Sequence, residues 1–137
     1  MDTASEIFDK LSNNFKNQTK DLQTEASLEG KDFEEIIKMA SIIEGEASGE
    51  KDAYLISGIL WKRIKIGMPL QVDVYKKSYS LKSLPDNPIN NPGIISIKAS
   101  LNPKESNYLY YLHDKNGLIH FAKNFEEHKK NINEYLK

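Results

Sequence analysis

The chain has 137 residues, with 19 basic and 20 acidic side chains and no cysteine. A chain of this length buries one hydrophobic core, and its balanced charge excludes the basic stripe on which nucleic-acid binding depends. No cysteine means no disulfide framework or thiolate zinc site, and no segment has the ~20 apolar residues of a membrane span or the pattern of a signal peptide. We therefore predict a single soluble domain over residues 1–137, with a neutral or mixed-charge ligand and no nucleic-acid partner.

The N-terminal segment is predicted to be an amphipathic helix followed by a connector. Apolar residues recur at helical spacing from Thr3 to about Lys20. The stretch QTKDLQTEASLEG is polar and ends in Gly30, which is typical of a connector or a second short helical piece. Residues 1–30 are therefore interpreted as a helix and connector, and residues 31–137 as the core that carries the motifs.

Two further helices are predicted between Asp32 and Gly67. Asp32 and Glu35 have the spacing of a capping box and precede a series of apolar residues, so a helix should begin at Asp32. A third helix is expected from about Glu50, with acidic residues in its first turn and basic residues in its last. Gly67 should end it.

The segment after Gly67 is predicted to contain a short strand, a built loop and a short helix. Polar and apolar residues alternate over residues 71–74, and the stretch SLPDNPINNPG, residues 83–93, holds three prolines that exclude regular structure. Ile94 to Leu101 is predicted to be a helix that ends near Pro103, because the residue before a proline disfavours helical geometry.

The C-terminal part is predicted to form a hairpin and a closing helix. In NYLYYLHDKNGLIHFAK, aromatic and β-branched residues flank the turn signal Asn116-Gly117. The closing helix is expected from Asn124 to Lys137. The fold class is therefore α+β: a predominantly helical domain with a small antiparallel hairpin.

The predicted position of Glu44 suggests a catalytic role for its carboxyl group. On a helical wheel it falls about 80° from Ile36, between Ala40 and Ile37, inside the apolar stripe. A carboxylate there must be paired, hydrogen-bonded or neutral, and a desolvated carboxyl retains the proton that a general acid donates. The alternative is a structural glutamate that extends past Ile37 or pairs with Arg63.

Glu46 and Asp73 are the other carboxylates considered for the site. Glu46 follows Glu44 by two residues, about 200° around the helix, so these two carboxylates should not flank one glycosidic bond. Ordinary glycosidases need a second carboxyl at about 5–5.5 Å or about 6.5–9.5 Å from the first. Asp73 is the only plausible partner, and the sequence leaves its distance open.

Four segments resemble the MltG (YceG-like) family of endolytic murein transglycosylases. MASIIEGE, residues 39–46, is similar to the family's Ala-Ser-Ile-(Val/Ile)-Glu-x-Glu string. The other three segments follow in the family's order: ISGILWKRIKIGMPLQVD (56–73), LPDNPINNPGIISIKASLNP (84–103) and NYLYYLHDKNGLIHFAKNFEEH (107–128). The resemblance extends over roughly residues 33–135 and implies a YceG-like catalytic domain.

The sequence departs from the family pattern at several positions. Lys62 stands where the family has Asn, Asp73-Val74-Tyr75 replaces Asp-Pro-Thr, and a shortened segment up to Tyr79 replaces Tyr-Asn-Thr-Tyr. A shallower or differently charged substrate groove is therefore expected. The family's membrane anchor and LysM-like N-terminal domain are also missing, so a trimmed or divergent short form is expected.

The resemblance also implies an activity and a catalytic residue. The first Glu of the family's string is its catalytic acid, and that role falls on Glu44. The implied reaction cleaves the bond between N-acetylmuramic acid and N-acetylglucosamine and leaves 1,6-anhydromuramoyl ends, which limits or terminates nascent glycan strands. The nucleophile is the substrate's own 6-hydroxyl, so one carboxylic acid suffices and no cofactor is needed.

The resemblance implies partners and a location for the full-length parent. Its substrate partner is the peptidoglycan glycan strand, and cell-wall synthases are expected partners at the level of the family. The parent is expected at the outer face of the cytoplasmic membrane, in the periplasm or cell wall, and at the membrane only through an anchor that this chain lacks.

Five polar or aromatic residues are predicted to bind substrate: Gln71, Asp73, Tyr79, Asn91 and His120. The first two could hold sugar hydroxyls or be ordinary solvated strand-end residues. Asn91 could bind an N-acetyl group, although an Asn before Pro also stabilises its own turn. Tyr79 could stack on a sugar and His120 could line the cleft. The three histidines lack metal-ligand spacing, so no metal is expected.

Three other functions remain open at this stage. The chain could be a catalytically inactive peptidoglycan-binding module that kept the groove, or a hydrolytic muramidase whose products have reducible ends. It could also be a helical interaction domain in which Glu44 forms a buried ion pair. The chemical nature of the product ends and the behaviour of a Glu44→Gln variant distinguish these functions.

Overall fold

The computed structural model describes residues 3–71 and 83–137, with side chains from residue 15 onward. These residues form helices and one antiparallel two-stranded sheet, which confirms the predicted α+β class. The elements are α1 (Thr3–Leu28), α2 (Phe33–Glu46), α3 (Glu50–Ile66), α4 (Ile94–Leu101), β1 (Tyr110–His113), β2 (Ile119–Ala122) and α5 (Phe125–Tyr135). None of these described helices is both long and apolar enough to cross a membrane.

Helix α1 is longer than the sequence predicts. It continues for 26 residues to Leu28. Of the two alternatives for the stretch after Lys20, the connector is wrong, and the helical one is correct as a continuation of α1. The reason is that Leu22 and Ala26 lie one helical turn apart and are both buried in a cluster with residues of α2 and α4. Their burial stabilises helix in an otherwise polar stretch. Gly30 ends the segment as predicted, with a left-handed φ of 71°.

Helices α2 and α3 begin and end close to the predicted positions. Asp32 is the N-cap of α2, and its Oδ1 accepts a hydrogen bond from the Glu34 N–H at 2.9 Å. Gly67 ends α3 in the left-handed conformation with a φ of 77°, and its N–H donates to the Ile64 carbonyl oxygen.

The short helix α4 lies at the centre of the molecule and joins α2 to α3. Its Ser100 hydroxyl donates to the Ile36 carbonyl oxygen of α2 at 2.7 Å. The Trp61 indole of α3 donates to the Ser100 carbonyl oxygen at 3.0 Å. The fully buried residues of these three helices form most of the core: Met39, Ile42, Ile43, Ile56, Ile59, Leu60, Ile97 and Leu101.

The predicted hairpin and closing helix are present. Strand β1 pairs with β2 so that Tyr110 lies opposite Ala122 and His113 opposite Ile119. The buried Arg63 of α3 fastens this unit to the helices, because its guanidinium donates to the carbonyl oxygens of Leu109, Pro69 and Leu70 at 2.9–3.1 Å. Burial lowers the pKa of the Arg63 side chain.

The proline-rich loop is confirmed as irregular, while the predicted strand before it is only partly described. Residues 83–93 contain neither helix nor strand. Gln71 has a φ of 55°, which is not strand geometry, so the strand does not include that residue. Residues 72–74, the rest of the predicted strand, lie outside the described residues.

The packing of α3 against the chain before the hairpin generates a stability prediction. A methyl group at Gly58 would lie 1.9 Å from the Lys104 carbonyl oxygen, and the Lys104 N–H is itself bonded to the Tyr54 carbonyl oxygen. We expect Gly58→Ala to lower the free energy of unfolding by about 2 kcal/mol or more, measured by urea denaturation. Gly49→Ala is the control, because its methyl would meet no atom within 4 Å. Equal stability of both variants would contradict this packing.

Candidate active site

The last turn of α2 carries two glutamates in different surroundings. The Glu44 side chain is exposed, whereas Glu46 has only 7% of its surface exposed. The prediction that Glu44 lies inside the buried apolar stripe is therefore wrong. A helical wheel assumes that one neighbouring element packs against the same face along the whole helix. At this end α2 meets α4 on one side and the hairpin on the other.

Glu44 binds the N-terminus of α4. Its Oε1 accepts hydrogen bonds from the Gly93 N–H at 2.6 Å and from the Ser96 hydroxyl at 3.2 Å. Gly93 is the N-cap of α4 and has no side chain with which to cap it. Glu44 thus caps α4 from a neighbouring helix, where an anionic side chain is stabilising. The Glu44 Oε1 atom is therefore occupied by these two hydrogen bonds.

An open groove of about 470 Å³ adjoins Glu44. Its walls come from the end of α2, the start of α3 and the first turn of α4. Ile95, with 48% of its surface exposed, adds an apolar side chain to this wall. The other residues around the groove are Ile43, Ala47, Ser48, Gly49, Glu50, Ala53, Gly93, Ile94 and Ser96.

Glu46 faces a smaller pocket, of about 260 Å³, between α2, the hairpin and α5. The His113 Nδ1 lies 3.9 Å from the Glu46 Oε2, and the His113 Nε2 lies 2.6 Å from the Glu46 carbonyl oxygen. The pocket combines a buried carboxyl with several other polar groups. The remaining lining residues are Arg63, Leu70, Gln71, Tyr111, Leu112, His128, Ile132 and Leu136.

His128, on the α5 side of this pocket, is held as a neutral ring. It stacks on Tyr110 with ring centroids 5.0 Å apart, and Arg63 lies over the same tyrosine ring. Burial lowers the pKa of His128, and the nearby Arg63 charge lowers it further. The His128 Nδ1 is buried and has no hydrogen-bond partner among the described residues.

The structure brings only some of the predicted substrate-binding residues near the two glutamates. Gln71 lines the pocket of Glu46. Asn91 is exposed in the proline-rich loop, two residues before Gly93. That loop is attached to α2, because Ser41 accepts the Ile89 N–H at its hydroxyl and the Asn90 amide at its carbonyl oxygen. Asp73 and Tyr79 lie outside the described residues. All four roles stay predictions.

His120 lies in neither the groove nor the pocket. Its Nε2 is 2.8 Å from the Asp114 Oδ2, and its ring stacks on Tyr135 at 3.5 Å. The hydrogen bond with His120 holds the pKa of Asp114 below its usual range. These contacts join the hairpin turn to α5. A substrate-binding role for His120 stays a prediction, and the described residues contain no group of three or more potential metal ligands.

Two features of this region were not predicted: the burial of Glu46 and the position of His113 beside it. Neither follows from local pattern, because the contact joins residues 67 positions apart. The signal that was available is the position of Glu46 at the end of the apolar series, one turn from buried Ile42.

A comparison with known protein families identifies the chain. The model of the YceG-like family matches residues 1–77 and 75–134. The chain belongs to the YceG-like family. This result confirms the family to which the sequence motifs pointed.

Individual relatives of this YceG-like chain are similar over about three quarters of its length. An endolytic murein transglycosylase of Bacillus subtilis is 32% identical over 74% of this chain, and one of Streptococcus pneumoniae is 25% identical over 74%. The chain spans only 34% and 24% of the lengths of these relatives. The crystal structure of a yceG-like protein from Listeria monocytogenes matches 79% of this chain and 42% of its own, with 31% identity and a TM-score of 0.70.

The contact between Glu44 and α4 generates a second stability prediction. We expect Glu44→Ala to lower the free energy of unfolding by about 1 kcal/mol, because the buried Ser96 hydroxyl and the Gly93 N–H lose their acceptor. Glu44→Gln should lose less, since an amide oxygen still accepts. Urea denaturation measures both. If Glu44→Ala is as stable as the unchanged protein, the carboxylate does not cap α4.

Proposed function

We propose that this chain holds the catalytic site of a lytic transglycosylase that cleaves the glycan strands of peptidoglycan. Membership of the YceG-like family supports the proposal, as does similarity to relatives that are named endolytic murein transglycosylases. The observation that carries it is the buried carboxyl of Glu46 in a polar pocket beside His113. A carboxyl withdrawn from water retains its proton more readily, as a general acid must.

We assign the acid to Glu46 rather than Glu44 on the contacts of the two side chains. Glu44 is exposed and one of its oxygens is occupied by two donors of α4. Glu46 is buried at the wall of a pocket that also contains Gln71, a predicted sugar-binding residue. Glu44 as the acid stays a prediction, and its remaining oxygen at the edge of the open groove keeps it as the alternative.

The proposed reaction uses one carboxylic acid and no water. Glu46 donates its proton to the glycosidic oxygen while the bond from that oxygen to the anomeric carbon of N-acetylmuramic acid breaks. The 6-hydroxyl oxygen of the same sugar attacks this carbon, and its proton passes to the Glu46 carboxylate. The products are a free sugar hydroxyl and a 1,6-anhydromuramoyl end, and the acid is restored for the next cycle.

A single carboxyl favours this reaction over hydrolysis. The two glutamates in the last turn of α2 face different cavities, so they cannot activate a water and protonate a leaving group on the same bond. Asp73 lies outside the described residues and is the remaining candidate for a second carboxyl. A hydrolytic muramidase is therefore the second function to test, and a binding module without turnover is the third.

The substrate places the proposed activity outside the cytoplasmic membrane. Peptidoglycan is found there, so a protein that cleaves it acts in the periplasm or cell wall. We propose this location for the protein. We keep the association with cell-wall synthases as an expectation of the family.

Digestion of purified peptidoglycan tests the reaction and the acid together. We expect the unchanged chain to release fragments whose muramoyl ends resist reduction by borohydride, as seen by mass spectrometry. Glu46→Gln should reduce this release by about 100-fold or more, because the amide cannot donate a proton in the same way. Glu35→Gln is the matched control, since Glu35 is an exposed residue of the same helix.

The outcomes of the digestion separate the candidate functions. Reducible ends would indicate a hydrolytic muramidase, and binding without release would indicate an inactive module. Loss of release in Glu44→Gln with full release in Glu46→Gln would return the acid to Glu44. Each of these results would contradict part of the proposal.

A further inference from the structure

The open groove beside Glu44 is negatively charged. Two carboxylates line it, and none of its described lining residues is basic. Glu44 uses one carboxylate oxygen to bind the Gly93 N–H and the Ser96 hydroxyl. Glu50, in the first turn of α3, is exposed, and its side chain makes no ion pair or hydrogen bond with the described residues. The groove therefore attracts a cationic group and repels an anionic one.

The remaining walls of the groove are aliphatic. Ile95 is the exposed apolar side chain of α4 and faces the groove, with Ala47 and Ala53 also in the lining. The described lining residues include no aromatic ring on which the face of a sugar could stack. A ligand with small methyl side chains would remove part of the Ile95 surface from water. Charge and shape together favour an aliphatic ligand that carries an amine.

The groove lies within reach of a peptide attached to a sugar at either glutamate of α2. Glu44 adjoins the groove, and Glu46 faces the pocket on the other side of the same helical turn. A helix with its side chains is about 10–12 Å across, whereas five extended residues span up to about 17 Å. The position of the peptide therefore does not depend on which glutamate is the acid.

We propose that the open groove binds the stem peptide that the muramoyl residues of peptidoglycan carry, a short chain of alanine, glutamate and diamino residues. Glu50 pairs with the free amine of the diamino residue, and Ile95 contacts an alanine methyl group. The carboxylates of the peptide stay in the water at the open side of the groove. This inference rests on the proposed function for its substrate, and it extends recognition from the glycan to the peptide.

Titration of the isotope-labelled chain with the pentapeptide L-alanyl-γ-D-glutamyl-L-lysyl-D-alanyl-D-alanine, followed by NMR, tests the inference without turnover. We expect the backbone amide signals of residues 47–50 and 93–96 to shift. Acetylation of the lysine amine should raise the Kd about fivefold, the effect of losing one exposed ion pair. Ile95→Ser should raise the Kd of both peptides. Ile66→Ser is the control, because Ile66 is exposed but lies outside the groove.

Glu50→Gln separates the ion pair from a general weakening of the groove. In this variant the free and the acetylated peptide should bind with equal Kd, because the partner of the amine is lost. Glu134→Gln, at an exposed carboxylate of α5, is the control and should keep the fivefold difference. If Glu50 only stabilises the start of α3, Glu50→Gln will keep that difference as well. That result would overturn the inference.

Three other results would also overturn the inference. The unchanged chain could bind both peptides equally, or the shifted signals could be confined to the pocket of Glu46. A tetramer of glucosamine, which carries amines on sugar rings, could bind in the groove more tightly than the peptide. If the unchanged chain releases no anhydro ends from peptidoglycan, the proposed function fails, and these titrations still decide whether the groove binds the peptide.

Discussion

The C-terminal turn of α2 is held from two sides, and the arrangement of the site depends on that constraint. On one side the Glu44 carboxylate accepts hydrogen bonds from the first turn of α4. On the other side the His113 ring of the hairpin binds the Glu46 carbonyl oxygen. These contacts fix the rotation of the turn, so that two glutamates two residues apart point into different cavities. The same spacing that prevents a catalytic pair gives each carboxyl a separate environment.

The proposed division of roles between the two glutamates follows from what each carboxyl contacts. An exposed carboxylate at a helix N-terminus contributes to the position of α4 and of the proline-rich loop before it. A buried carboxyl beside an imidazole can take up and release a proton. Arg63 connects this pocket to the core, because its guanidinium binds the backbone on both sides of it. The proposed chemistry therefore depends on how Arg63 packs against the backbone.

Local sequence signals predicted most of the elements. The cap at Asp32, the glycines at 30 and 67, the proline-rich loop and the Asn116-Gly117 turn each act over a few residues, and each was read correctly. The sequence left the second half of α1 open between a connector and a helix, because its conformation depends on the burial of Leu22 and Ala26 against distant helices. The sequence of this polar stretch does not reveal the distant helices against which it packs.

The site was less predictable than the fold for the same physical reason. The motif around Glu44 pointed to the last turn of α2, and its role as the site stays a prediction. Which glutamate is buried depends on the hairpin, whose His113 is 67 positions from Glu46. A helical wheel contains no information about such a partner. Asn91 was predicted to lie in the loop that leads into α4. It precedes Gly93 by two residues, and the Gly93 N–H donates a hydrogen bond to Glu44.

A crystal structure of the Glu46→Gln variant with a bound peptidoglycan fragment tests the assignment of the acid most directly. The account predicts that the glycosidic oxygen lies about 3 Å from the side chain of residue 46, with sugar contacts to Gln71 and to the walls of that pocket. A fragment bound in the open groove, with its glycosidic oxygen at Glu44 and its sugar ring against Ile95, would contradict the account.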